Sequence, residues 1–316
     1  MPIKNKILSG SLSAIFCEVL FGFSYLFTKR ITDSISPMTL LSWRFIIAFL
    51  FFNICMLAGI LKVDFKNKSI SSLFLVGIFQ PVLYFIGETI GINLTSASES
   101  GTIIACIPII TLLLSSLLLK EIPTKLQVTG VSISAIGIIL IVLTKGAEVT
   151  FNPVGYIMLF LAVTSYSLYS VFSEKANQFT STEKTYVMIA FGTVAFTGIA
   201  FVENLKSGTL KDFFILPFTN LNFLITVLYL GIGCSVLAFL LYNLAISYIG
   251  TNKSASFVGI STIVTVIAGI IILKEKFTII QIVGTILVIS GVYLANVIYI
   301  SNKSEADGSI EEITEK

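Results

Sequence analysis

The chain of 316 residues contains no histidine. That absence removes His-based zinc sites, Ser-His and Cys-His nucleophile pairs and histidine proton relays. Tryptophan occurs once, as Trp43. The four cysteines (Cys17, Cys55, Cys106 and Cys234) all fall inside apolar stretches and show no Cys-x-x-Cys spacing. They read as small buried hydrophobes, not as metal or redox groups. Charge is scarce as well. Asp, Glu, Lys and Arg make up 12% of the chain, about half of the ~25% usual for a soluble domain. The net charge of +3 is dispersed, with no basic stripe, which argues against nucleic-acid binding. No GxxxxGK[ST] phosphate loop is present. No metal or cofactor is expected.

What is present is apolar: 55% of residues are hydrophobic. Such a chain cannot cover itself with a polar surface, so the lipid bilayer is its expected solvent. About 20 apolar residues cross the hydrocarbon layer as a helix. Ten runs reach that length, at roughly 9–28, 38–60, 70–91, 96–119, 126–144, 152–173, 184–203, 221–245, 251–273 and 278–300. The first contains Glu18 and lacks a small-residue cleavage site, so it reads as a retained span and not a signal peptide. With the N-terminus inside, inner segments carry twelve Lys and outer segments seven Lys or Arg, Arg44 being left out. That bias predicts a multi-pass cell-membrane protein with both termini cytoplasmic. The tail 301–316 is polar and mostly acidic, and is expected to be disordered.

One passage occurs twice. Residues 119–140 read LKEIPTKLQVTGVSISAIGIIL and residues 273–294 read LKEKFTIIQIVGTILVISGVYL. An offset of 154 gives eight identities in 22 positions, among them Glu121/Glu275, Gln127/Gln281, Gly130/Gly284 and Gly137/Gly291. The offset lays the fourth and fifth runs on the ninth and tenth. Each unit then holds five spans, an odd number, so the second enters the bilayer upside down. The expected fold is all-α: ten transmembrane helices as two inverted five-helix repeats, 1–148 and 149–300. Inverted units supply two related packings, one open to each side, which is the basis of alternating access in secondary transporters.

Further residues fit the same scheme. The first half carries Phe21-Gly22, Lys29, Pro37, Arg44-Phe45 and Pro108. The second carries Tyr166-Ser167. Together with the repeat residues these resemble the drug/metabolite transporter superfamily, in particular its ten-helix members with two EamA-type repeats, over about residues 10–300. Members commonly have Trp where Phe21 and Tyr166 stand here. The proline expected in the second repeat is Thr262, whereas its counterpart Pro108 is present. The resemblance implies transport of small organic solutes, export being the commoner direction. It does not select among amino acids, sugars, nucleotide derivatives and toxic organic compounds.

An ionisable side chain at mid-membrane costs about 2.5–3.5 kcal/mol on insertion scales, so each needs a reason. Glu18 lies about nine residues into the first run. It is a candidate to bind a proton or a cationic group of the solute, with helix packing as the alternative. Arg44 is expected to pair with Glu88 or Glu99 near the outer mouth, or to snorkel to the headgroups. Glu88 sits within Gly87-x-x-x-Gly91, a spacing that also allows close helix packing. Glu99 and Lys253 are repeat equivalents, each opening a helix. A helix start favours negative charge, so Lys253 is the misfit and a candidate anion contact at the inner mouth. Positive-inside anchoring is its alternative. Tyr25, Tyr84, Tyr166, Tyr169 and Tyr242 fall within spans, not only at the interfaces. Tyr166 and Tyr169 share a helix face, and with Phe21 are candidates to line a cavity between the first and sixth helices. Plain packing is the alternative reading.

The expected function is a secondary carrier, exporting amino acids or related amphipathic compounds. Uptake or exchange is the nearest alternative. An intramembrane enzyme is disfavoured by the missing histidines and paired aspartates, and a channel by the want of a continuous polar lining. Expected partners are a small-molecule substrate, the bilayer, a proton or other coupling ion, and a second copy of the chain.

Overall fold

The computed structural model describes residues 3–66, 68–119, 125–145, 152–274, 278–291 and 293–294. Among them every regular element is helical. In order these are α1 (Ile3–Thr32), α2 (Pro37–Leu57), α3 (Ser71–Leu94), α4 (in two pieces, Ala97–Ile104 and Ile107–Leu119) and α5 (Lys125–Lys145). Then come α6 (Pro153–Lys175), α7 (Ser181–Ser207), α8 (Leu221–Ile249), α9 (Thr251–Ile271) and α10 (Ile279–Gly291). Eight of these helices are long and apolar enough to cross a membrane; α5 and α10 carry shorter apolar stretches, Val128–Gly137 and Ile279–Gly291. The chain is an all-α membrane protein. Large apolar side chains such as Phe16, Leu57, Phe160 and Ile279 are exposed on its outside, as lipid contact requires. Lys120, Glu121, Glu275 and the tail 301–316 lie outside the described residues.

Local chemistry sets the helix ends. Ser36 caps α2 and is followed by Pro37; Asn152 caps α6 and is followed by Pro153. Both use the N-cap oxygen and the pre-set proline φ. Ser96 with Glu99, and Thr180 with Glu183, form reciprocal capping boxes on α4 and α7. Two interruptions recur at the repeat offset. A π-helical stretch occupies Ile78–Leu83 in α3 and another Tyr229–Ala238 in α8. Adding 154 to 78–83 gives 232–237, inside the second stretch. α4 breaks between Ile104 and Ile107, just before Pro108. α9 breaks at Phe257 without a proline to cause it.

Packing is reciprocal between the halves. α1 lies against α8 and α9, and α6 lies against α3 and α4. α2 packs on α7, and α4 on α9. Individual contacts repeat as well. An offset of 145 carries α1 onto α6, so Gly10 falls on Gly155. A Cβ on Gly10 would meet Tyr248 and Ile249; one on Gly155 would meet Leu94 and Thr95, the same positions 154 earlier. Thr265 Oγ1 donates to the Gly22 carbonyl at 2.9 Å, and Thr111 Oγ1 to Ser167 Oγ at 3.1 Å. Here again 111 plus 154 is 265, and 22 plus 145 is 167. The repeat glycines make the α5–α10 crossing. A Cβ on Gly137 would lie 2.5 Å from the Gly284 oxygen, and one on Gly291 would collide with the Gly130 oxygen and Ser134. Small residues let membrane helices approach this closely.

One helix and the start of another were not visible in the apolar pattern. A short helix, Leu210–Thr219, precedes α8 and is held by Trp43, whose Nε1 donates to the Phe213 oxygen at 3.0 Å. Lys184, counted among the loop lysines by its run boundary, lies in the first turn of α7 and is 2% exposed. The Thr180 capping box starts that helix three residues earlier than the apolar run suggests.

Candidate functional site

A connected row of rings crosses the middle of the bundle from α1 through α3, α6 and α8. Phe21 meets Phe239 at 6.2 Å between centroids, and Phe239 meets Phe85 at 6.0 Å. Tyr84 packs on Phe85 at 4.8 Å and on Tyr166 at 5.4 Å. Tyr166 then meets Tyr242 at 5.2 Å and Tyr169 at 5.7 Å. Phe21 thus joins through α8 instead of directly facing Tyr166 and Tyr169 across α1 and α6. Edge-on and tilted geometries dominate, as ring quadrupoles prefer.

Charge is placed against this row by the first half. Glu18 on α1 is 1% exposed, close to Ser261 of α9, and its Oε1 has no hydrogen-bond partner among the described residues. Arg44 on α2 is also 1% exposed. Its Nε donates to Ser235 Oγ at 2.8 Å and its Cζ lies 4.0 Å from the Phe85 centroid, while Nη2 has no partner among the described residues. Glu88 on α3 accepts the Tyr84 hydroxyl at 2.7 Å, with the Tyr25 hydroxyl beside the same carboxylate. Two more buried atoms lack partners among the described residues, Gln80 Oε1 in the π-helical stretch of α3 and the Tyr166 hydroxyl. Each unmade bond costs about 1–3 kcal/mol, and more on a charged group. Most buried polar groups are satisfied, so three such atoms, on Glu18, Arg44 and Tyr166, along one aromatic row mark the candidate site.

Arg44 makes no direct ion pair: among the described residues no oxygen of Glu88 or Glu99 lies within 4 Å of it, although its charge acts on the nearby Glu88 carboxylate. At 1% exposure it does not reach the headgroups either. The Ser235 bond and the Phe85 face hold the guanidinium inside, between α2, α3 and α8.

The second half contributes neutral groups. Asn243 on α8 is fully buried and is the hub. Its Oδ1 accepts from the Tyr169 hydroxyl at 2.9 Å and Ser173 Oγ at 3.0 Å, and its Nδ2 donates to Thr185 Oγ1 at 3.1 Å. Asn243 was passed over in the sequence. Its signal was a lone amide in the apolar run LLYNLAI, which a membrane core tolerates only with partners. Glu99 serves elsewhere. It closes the α4 capping box and accepts from Tyr156 at 3.3 Å and Gln281 Nε2 at 3.3 Å. Lys253 stands half-buried in the first turn of α9, away from any ion pair among the described residues. In the GxxxG segment, Gly87 and Gly91 admit Met158, Leu159 and Ala162 of α6, which leaves Glu88 free to turn to Tyr84.

Two clefts open at the bundle ends. One of about 560 Å³ lies between the end of α1 and the start of α8, lined by Phe27, Arg30, Asn220 and Asn222. The other, about 370 Å³, lies where α6 and α8 end and α7 begins, with Glu174, Phe179 and Lys184 on its walls. Among the described residues no group of three His, Cys, Asp or Glu is placed to hold a metal.

Comparison with known proteins is consistent along the chain. A sequence model of the EamA-like transporter family matches residues 8–143 and again 153–297. The chain is 32% identical over 297 residues to "Uncharacterized transporter YcxC" of Bacillus subtilis (strain 168), covering 93% of this chain and 95% of that protein. It is 25% identical over 289 residues to "Uncharacterized transporter YyaM" of the same strain, covering 88% and 90%. A crystal structure at 18% identity superposes with a TM-score of 0.62, over 92% of this chain and 97% of that one, which speaks to the fold alone.

Proposed function

The chain belongs to the EamA-like transporter family, and from that premise we propose that it is a secondary carrier that exports amino acids or related amphipathic solutes by alternating access. Two five-helix halves, 1–148 and 149–300, of opposite orientation, rock about the aromatic row and uncover it to each side in turn. The reciprocal contacts of α1 with α8 and α9, and of α6 with α3 and α4, support this reading.

The observation that carries it is the pair of opposite charges with unbonded atoms, Glu18 Oε1 and Arg44 Nη2, beside one aromatic wall. A carboxylate buried without a counter-charge is costly, so Glu18 is relieved by a proton or by a cationic group of the solute. Arg44 offers a solute carboxylate a planar fork already stripped of water. The rings of Tyr84, Tyr166 and Tyr242 take the apolar part. The protein sits in the cell membrane with both termini cytoplasmic, and a proton is the coupling ion.

Proteoliposomes test this. Saturable counterflow of labelled amino acids is expected, driven faster by an imposed pH gradient. Glu18→Gln should insert normally and lose the acceleration. An unchanged response to the gradient would remove Glu18 from coupling, and absence of any counterflow would remove the carrier reading for this solute class.

A further inference from the structure

Lys184 and Glu174 line one cavity of about 370 Å³ at the end of the bundle where α7 begins. Volumes of about 300–1,000 Å³ are usual for small-ligand sites. Their charges are opposite, yet among the described residues no ion pair within 4 Å joins them. Each is held on its own wall. Lys184 is 2% exposed and its Nζ donates to the Ser173 carbonyl at 2.5 Å. An ammonium has three donors, so that bond leaves others available toward the cavity. Glu174 Oε2 accepts the Thr251 amide at 2.8 Å, which fixes the carboxylate and leaves Oε1 on the Gly250 side. Phe179 adds an apolar surface to the same cavity.

We propose that this cavity is a second, peripheral solute site, which takes a zwitterion with its carboxylate on Lys184 and its ammonium on Glu174. The gap between the two ions is bridged by a molecule that carries both complementary charges, and a neutral or singly charged solute leaves one of them unmet. The site is wired to the aromatic row. The Ser173 carbonyl binds Lys184, the Ser173 hydroxyl donates to Asn243, and Asn243 accepts from Tyr169. Ser173 lies one helix turn from Tyr169 on α6, so on the carrier reading a solute held here is on the route of entry or exit. The site's purpose rests on the carrier reading; its existence does not.

The test reads the cavity locally. Asn177, exposed at its rim, is replaced (Asn177→Cys, with Cys55→Ser) and labelled with a polarity-sensitive dye in the full-length purified protein. L-Leucine should give a saturable change. N-acetyl-leucine, which lacks the ammonium, and leucine methyl ester, which lacks the carboxylate, should each bind at least tenfold more weakly. Lys184→Met should weaken leucine at least tenfold. Glu174→Gln should do the same while its amide oxygen still caps Thr251, so it decides the matter if Lys184→Met does not fold. No saturable response to leucine, equal responses to the three compounds, or variants that bind as the parent does would each overturn the proposal. Retained local binding without counterflow in vesicles would instead remove the carrier reading and leave the site.

Discussion

The two halves share a scaffold and differ in chemistry. At an offset of 145, Phe21 falls on Tyr166, but Glu18 falls on Val163. At 154, Phe85 falls on Phe239, whereas Glu88 falls on Tyr242 and Gln80 on Cys234. Around the aromatic row the first half therefore supplies two carboxylates and a guanidinium, and the second supplies hydroxyls and the Asn243 amide. Backbone approaches at Gly10/Gly155 and Gly137/Gly291 are kept in both halves. The comparison teaches where each constraint acts. On the carrier reading proposed above, helix crossings must work in both packings and so recur, whereas a solute with two different ends needs two different walls, so its partners do not.

The largest expected effect comes from removing that difference. Arg44→Lys keeps the charge but loses the planar fork, the Phe85 stacking and the Ser235 bond through Nε. Transport should fall at least tenfold, with the loss in apparent solute affinity. A change on α7, such as Thr193→Ser, should leave flux within about twofold, since it keeps the hydroxyl that donates to the Phe45 and Ile189 carbonyls and removes only a methyl. Equal losses from both changes would mean that the halves contribute alike and the asymmetry has no functional meaning.

Next comes the shared scaffold. Gly137→Leu and Gly291→Leu should each destabilise the protein by about 1–3 kcal/mol or more, because each forces α5 from α10. The sharper expectation is that the two costs agree, since Gly137 meets Gly284 and Gly291 meets Gly130, the repeat equivalent of Gly284. Gly198→Ala, where an added Cβ meets nothing within 4 Å, should be neutral or slightly stabilising through lost chain entropy. Thermal unfolding in detergent measures all three. A large gap between the two Leu variants would show that the crossing is not reciprocal in energy.

Much of this was legible in the sequence, for particular reasons. The class followed from the apolar runs, because a bilayer needs about 20 apolar residues for a helix, whereas strands of a closed barrel need only about 9–11. The repeat glycines were visible as identities, yet their role as mutual contacts needed the structure, because α5 and α10 are 154 residues apart. Glu18 and Glu88 were legible since any buried charge is conspicuous in so apolar a chain. Arg44 was legible as a residue, and its charge does act on Glu88, but its direct contacts were not legible. Its partners, Ser235 and Phe85, are an ordinary serine and phenylalanine far along the chain. Lys184 was misplaced because a capping residue, not hydropathy, starts α7.

The smallest expected effect concerns the turns that join the third and fourth helices of each half. Such a turn presents a helix end, which favours a cation, beside a helix start, which favours an anion. The halves answer it with opposite signs at one position. Lys29 donates to the Ile92, Asn93 and Thr95 carbonyls at 3.3, 3.2 and 3.0 Å, closing the end of α3. Its counterpart 145 residues later is Glu174, which accepts the Thr251 amide at the start of α9. Lys29→Met should therefore cost about 0.3–1 kcal/mol, the usual worth of a charge at a helix terminus. Lys29→Glu should cost more than Lys29→Met, because it sets an anion against carbonyls. Glu174→Lys should likewise exceed Glu174→Gln, for the mirrored reason at an amide. Unfolding midpoints of the four variants read these differences. If Lys29→Glu were as stable as the parent, the cation at the end of α3 would hold nothing, and the sign difference between the halves would be accidental.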